Sequence, residues 1–182
     1  LIPGMLIRRA LKGELPLVAA AKKLQDEVLS PSASTGFSDG ELDEELRAVT
    51  AFKKVALMVI GTAMQTYGEA LTDQQEVLSY AADILIDIYS AESAVLRARE
   101  AVAAKHARSA LHSAAARVFV NDAAQRVEPA ARSALAAMAE GDTLRTLLAA
   151  LRRVLKVTPI NTIALRRELA DAATQHGGYA LA

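Results

Sequence analysis

The chain has 182 residues, is 52% hydrophobic but only 4% aromatic, and contains neither Trp nor Cys. That length supports one domain with a real core, and the missing cysteine excludes disulfides and thiolate chemistry. Net charge is zero, yet residues 37–100 carry −7 while 1–36, 101–140 and 141–182 carry +2, +2 and +3. Such a pattern draws parts of the chain together and argues against a nucleic-acid binder, which needs a concentrated basic face.

The strong helix formers Ala, Leu, Glu, Arg and Lys set the expectation of an all-α protein. Leu1–Leu11 reads as a short amphipathic helix with Pro3 in its first turn and Gly13 after its end. Leu15–Leu29 follows, with Leu17, Ala21, Leu24 and Val28 as its stripe. Ser30–Gly40 has loop composition, and Phe37 within it is placed to anchor the loop on the core. Glu41–Tyr67 forms a long helix whose start carries Asp43, Glu44 and Glu45, favoured there by the helix dipole. Its second half, from Val55 to Met64, is apolar on nearly every side and should be the most buried segment. At ten residues, with Gly61 and Thr62 inside it, that run is about half a membrane span. Gly61 and Ala63 would admit a close neighbour.

Thr72–Glu100 is the organising helix. Val77, Ala81, Ile84, Ile88, Ala91 and Val95 step by 4, 3, 4, 3 and 4 along one face. Leu78, Leu85, Tyr89 and Leu96 widen that stripe, and Asp83 with Asp87 reads as a solvated face. Thr72 and Gln75 fit a capping box. Continued to Ala104, the helix would be about 50 Å long at ~1.5 Å per residue, so it needs long partners. After a turn near Lys105–Arg108, a third long helix runs to about Glu140, with Leu111, Ala115, Val118, Val127, Ala134 and Met138 inward and Pro129 expected to kink it. Asp142–Leu155 presents Leu144, Leu147, Leu148, Leu151 and Leu155 on one face. A last helix spans Asn161–His176 with Gly177 as its cap, and Tyr179–Ala182 is expected to be loose. The fold class is therefore an all-α helical bundle, four-helix-bundle-like, with three long helices and several shorter ones.

No catalytic, cofactor or metal residue emerges from the motifs. A di-iron bundle needs Glu-x-x-His pairs, but Ala103, Ser109 and Ala173 stand three before His106, His112 and His176. On a continuous helix His106 and His112 point to different sides, so they read as surface histidines. Tyr67, Tyr80 and Tyr89 read as core aromatics with hydroxyls at the rim. Arg152, Arg153, Lys156, Arg166 and Arg167 make the last third basic and read as solvated charge on two amphipathic helices. There is no Gly-rich phosphate loop and no nucleophile elbow.

Four stretches carry a family resemblance. Leu1–Leu17, LIPGMLIRRALKGELPL, resembles the segment following the catalytic-glutamate region of very-long-chain-like, FAD-dependent acyl-CoA dehydrogenases. Ala51–Glu100 resembles the helical C-terminal extension of those enzymes, and Arg117–Glu128 and Thr158–Asp171 continue the likeness in order. The resemblance implies a parent enzyme of fatty acid β-oxidation that forms a trans-2,3 double bond in an acyl-CoA and passes electrons through FAD to a carrier flavoprotein. It places flavin site, acyl-CoA pocket and catalytic glutamate upstream, so no family catalytic residue falls on this chain. Residues 1–30 then read as the tail of the catalytic-core helices, 31–40 as a linker and 41–182 as the C-terminal bundle. The implied role is non-catalytic: packing, assembly or peripheral membrane contact, in the cytoplasm. The alternative is a free-standing helical interaction module. The chain opens on Leu1 rather than Met, which suggests a fragment. An interrupted first helix would leave Ile2, Met5, Leu6 and Ile7 short of cover and favour a homo-oligomer, most simply a dimer.

Overall fold

The computed structural model describes residues 2–29 and 40–181. Among these are seven α-helices and no strand: α1 (Ile2–Leu11), α2 (Leu17–Leu29), α3 (Asp43–Tyr67), α4 (Gln75–Ala103), α5 (Ser109–Met138), α6 (Gly141–Val154) and α7 (Thr162–His176). The expected loop Ser30–Gly40, including Phe37, lies outside the described residues except for Gly40, as does the side chain of Val28.

The three long helices pack side by side. Asp43 and Lys53 of α3 pair with Arg99 and Glu92 of α4, so those two run antiparallel. The Tyr67 hydroxyl donates to the Ala137 carbonyl at 3.1 Å and Arg117 meets Glu45, which sets α3 parallel to α5. All six stripe residues of α4 are buried. Around them lie Phe52, Val55 and Val59 of α3 and Ala123, Val127, Ala131 and Ala134 of α5, each fully enclosed. The shorter helices close the open sides. On α2, Ala21 sits so near Gly61 that a Cβ there would come within 2.9 Å of the Ala21 methyl. The leucine face of α6 covers the bundle through buried Leu151 and half-buried Leu144, Leu147 and Leu148.

Local chemistry explains most boundaries. The acidic first turn of α3 is present, and the Asp43 carboxylate accepts from the Gly40 backbone N–H at 3.2 Å. Leu42, just before it, adopts φ 66°. A left-handed leucine costs roughly 1–2 kcal/mol, offset here by complete burial of its side chain, worth about 1.5–3 kcal/mol. At the N-terminus of α7 the Asn161 side chain caps the first turn by accepting from the Ala164 N–H. The far end closes on Gly177 at φ 73°, with the Gly178 N–H reaching the Ala173 carbonyl.

Several expectations are corrected. Thr72 does not cap α4: it is wound into a 3-10 turn, Gly68–Asp73, that buries Leu71, and the helix begins after Gln74. Gln75 reaches back, but its amide donates to the Thr72 carbonyl. α5 runs through Pro129 without interruption; Pro129 lies on its exposed side. Val55–Met64 has no exposed residue, but neither has Leu111–Ala124, so α5 is at least as enclosed as α3. Its alanines, Ser113 and Asn121 concealed this, because α5 is covered on one side by α3 and α4 and on another by α7 and the segment after α6. The tail is not loose: Ala180 is buried and its carbonyl accepts from Arg108 at 3.2 Å.

The buried face of α3 gives a direct test. Ile60→Ala empties a site that is 2% exposed and should cost roughly 2–5 kcal/mol. Asp83→Ala on the exposed side of α4 should cost within about 0.5 kcal/mol. Urea melts of both variants measure the difference; equal losses would show the polar and apolar faces to be misassigned.

Candidate functional site

Three clusters of polar side chains stand out. The first joins α4 to α5. Asp87 falls at the edge of the apolar stripe of α4, and Arg126 lies across from it on α5. The carboxylate, expected to be solvated, is 9% exposed. Arg126 Nε donates to both its oxygens at 3.1 Å and Nη2 to Oδ1 at 2.6 Å. This forked pairing suits a guanidinium. The hydrogen bonds to Asp87 raise the Arg126 pKa further, against a smaller opposing effect of burial. Phe119, one helical stretch earlier, lies under the guanidinium with 5.6 Å from its ring centre. Beside the pair runs an open groove of about 540 Å³ whose lining includes Tyr80, Ile86, Gln125 and Ser133.

A second, larger groove of about 700 Å³ lies where the acidic start of α3 meets the start of α7. Glu41, Asp43, Glu44 and Glu45 line it, with Arg117 the basic member. The third cluster sits at the α4–α5 turn. The chain breaks helix between Ala103 and Ser109, which overturns the premise that separated His106 from His112. Their rings meet edge to face, 5.6 Å between centres. His112 is buried rather than on the surface. Burial first, then the nearby charges of Arg97 and His106, lower its pKa below the ordinary imidazole value.

The remaining candidates disperse. Tyr67 is half-buried with its hydroxyl on the Ala137 carbonyl, as a core aromatic with a rim hydroxyl should be. Tyr80 and Tyr89 are exposed, Tyr89 at 76%, because the α4 stripe is narrower on that side than its sequence implied; Leu96 is likewise exposed. Of the basic residues in the last third, Arg166 is bound to Asp122 of α5 at 2.7 Å. Arg152, Lys156 and Arg167 are exposed. Among the described residues no group of three or more His, Asp or Glu side chains could hold a metal ion. No described helix is long and apolar enough to cross a membrane.

The arrangement is a helical bundle in which charge pairs join helices to one another; among the described residues the two grooves hold no assembled acid, base and nucleophile. Residues 51–153 match the family model for the acyl-CoA dehydrogenase C-terminal domain, and the chain belongs to that family. It is 42% identical over 171 residues to a probable acyl-CoA dehydrogenase of Bacillus subtilis (strain 168), spanning 93% of this chain but 29% of the relative. Its fold is similar to the crystal structure of an acyl-CoA dehydrogenase complexed with FAD from Bacillus anthracis. The TM-score there is 0.91 at 37% identity, over 98% of this chain and 30% of that one. The chain thus spans under a third of the length of the relatives it matches.

Since Asp87 is enclosed and Arg126 is half open to water, Asp87→Ala should cost about 1–3 kcal/mol. A double-mutant cycle with Arg126→Ala should give a coupling of about 1–2 kcal/mol by denaturant melts. Coupling below about 0.3 kcal/mol would place the pair among ordinary surface contacts.

Proposed function

We propose that this chain is the non-catalytic C-terminal part of an FAD-dependent acyl-CoA dehydrogenase, and that its work is to pack against the remainder of the parent protein. The observation that carries this reading is the coverage: nearly all of this chain aligns with under a third of each relative. On this reading residues 1–30 end the helices of the catalytic core and 41–182 form the bundle, with the Ala21–Gly61 contact as one joint between them. Acyl-CoA and the electron-carrying flavoprotein are partners of the parent, reached through its core.

The side chains present here do not fit a flavin. The groove of about 700 Å³ is rimmed by four carboxylates, which repel a diphosphate, and the groove beside Arg126 commits that guanidinium to Asp87. No step of the dehydrogenation is therefore assigned to any residue of this chain.

The packing surface we favour is the outer side of α1 and α4, which are in contact. Ile86 and Leu96 are 50% and 54% exposed, and Tyr89 more so, spaced three and seven residues apart on one face of α4. Ile2 and Met5 are exposed on α1, while Leu6 and Ile7 are half-covered. Exposed apolar side chains grouped on one face call for a partner. In the parent that partner is the catalytic core; for the chain in isolation it is a second copy of itself. Peripheral membrane contact is a lesser role that the same surface could serve.

The chain purified alone should be colourless and inactive in acyl-CoA oxidation with an artificial acceptor, and should associate at high concentration. Light scattering over a concentration series, with Tyr89→Asp and Met5→Asp, reads the association; each substitution should weaken it about tenfold, the loss of one buried large side chain. A flavin spectrum with turnover would contradict the reading. A monomer at every concentration would remove the α1–α4 surface from it.

A further inference from the structure

All three histidines of the chain, His106, His112 and His176, converge on one residue, Arg108. Its backbone N–H donates to His106 Nδ1 at 3.2 Å. Its guanidinium lies 3.3 Å from His176 Nδ1 at the end of α7, and its other terminal nitrogen donates to the Ala180 carbonyl. His106 in turn packs edge to face on His112. The residues joined in this way are far apart in sequence: the α4–α5 turn on one side, the end of α7 and the chain beyond it on the other.

An imidazole nitrogen facing an arginine can only accept, so both Nδ1 atoms must be unprotonated for these contacts to form. Protonation turns each acceptor into a donor and sets an imidazolium against a guanidinium. We propose that Arg108 and His176 form a pH-sensitive clip that holds the segment Gly177–Leu181 onto the α4–α5 turn while the His176 ring is neutral and releases it when that ring is protonated.

The cations that face the clip reinforce this sign. From α4 comes Arg97, whose charge acts on His112; from the turn come His106 and Arg108; from α7 comes His176. Glu41, before α3, accepts from the Ser113 hydroxyl on α5 at 2.7 Å, and its negative charge acts in the opposite sense. His112 adds a linked contribution. Its folded pKa lies below the ordinary 6.5, so the stability it supports is full above that value and is lost as pH falls toward the folded one. In the tail the Ala180 side chain is buried, Leu181 is half-buried and Tyr179 is exposed. Loss of the Arg108–His176 contact, with a repulsion in its place, then weakens the hold on the tail.

Amide hydrogen exchange on the full chain at pH 7.5 and 5.0, corrected for intrinsic rates, tests the clip. The comparison is with His176→Asn, whose side-chain oxygen accepts at the Nδ1 position without titrating. In the unaltered chain, protection of the amides from Gly178 to Leu181 should drop about tenfold or more at pH 5.0. Amides around Phe52, Ile84 and Val127 should stay protected. In His176→Asn the tail should lose less than about a third as much. Three results would overturn the clip: tail protection independent of pH, an equal drop in the Asn variant, or tail and core amides falling together.

Discussion

The close approach of α4 to α5 is the contact on which the rest of the bundle depends. It is built from alanine. Ala81, Ala91 and Ala98 on α4 and Ala116, Ala123, Ala131 and Ala134 on α5 are all buried. Small side chains let two backbones come near, and each added atom pair contributes little dispersion energy but many pairs form. This explains how a chain with 4% aromatic residues and no Trp holds helices of 29 and 30 residues together. Larger side chains join the alanines in the same core, among them Phe52, Val55 and Val59 of α3, Ile84 and Val95 of α4 and Val127 and Leu135 of α5.

Charge then fixes register where alanine cannot. A seam of identical methyls can slide by a turn with little loss of contact. Glu45 with Arg117, Asp87 with Arg126 and Asp122 with Arg166 tie α3 to α5, α4 to α5 and α5 to α7. In the first two, the acid comes from the acidic centre of the chain and the base from the basic stretch after it. Part of the uneven charge along the sequence is thus paired internally. Asp87 is the buried acid of the three and its pair makes three hydrogen bonds, so slippage between α4 and α5 is penalised there.

Much of this was legible beforehand. The steps of three and four in α4 located its core face residue by residue, and Gly13, Lys105–Arg108 and Gly177 marked the ends of α1, α4 and α7. Periodicity assigns a face, however, and not what lies opposite it. Asp87 sits on the border of the apolar stripe, and only the position of Arg126, 39 residues later, makes it an internal group. Tyr89 and Leu96 sit on the other border, where no described helix covers them. The histidine cluster was hidden because it depends on a break in the helix and on the return of α7, two events that no local pattern records. The family resemblance reached further than the residue chemistry did: it supplied the identity of the domain, which the comparisons support, while the spacing of side chains supplied only its shape.

The seam makes a demand that can be measured directly. Ala131→Leu places three extra carbons where the side chain is wholly enclosed, and Ala136→Leu places them on the exposed side of the same helix. Thermal and urea melts should show Ala131→Leu destabilised by about 1–3 kcal/mol or more and Ala136→Leu unchanged within about 0.5 kcal/mol. Equal stability of the two variants would contradict a bundle organised around a tight α4–α5 contact.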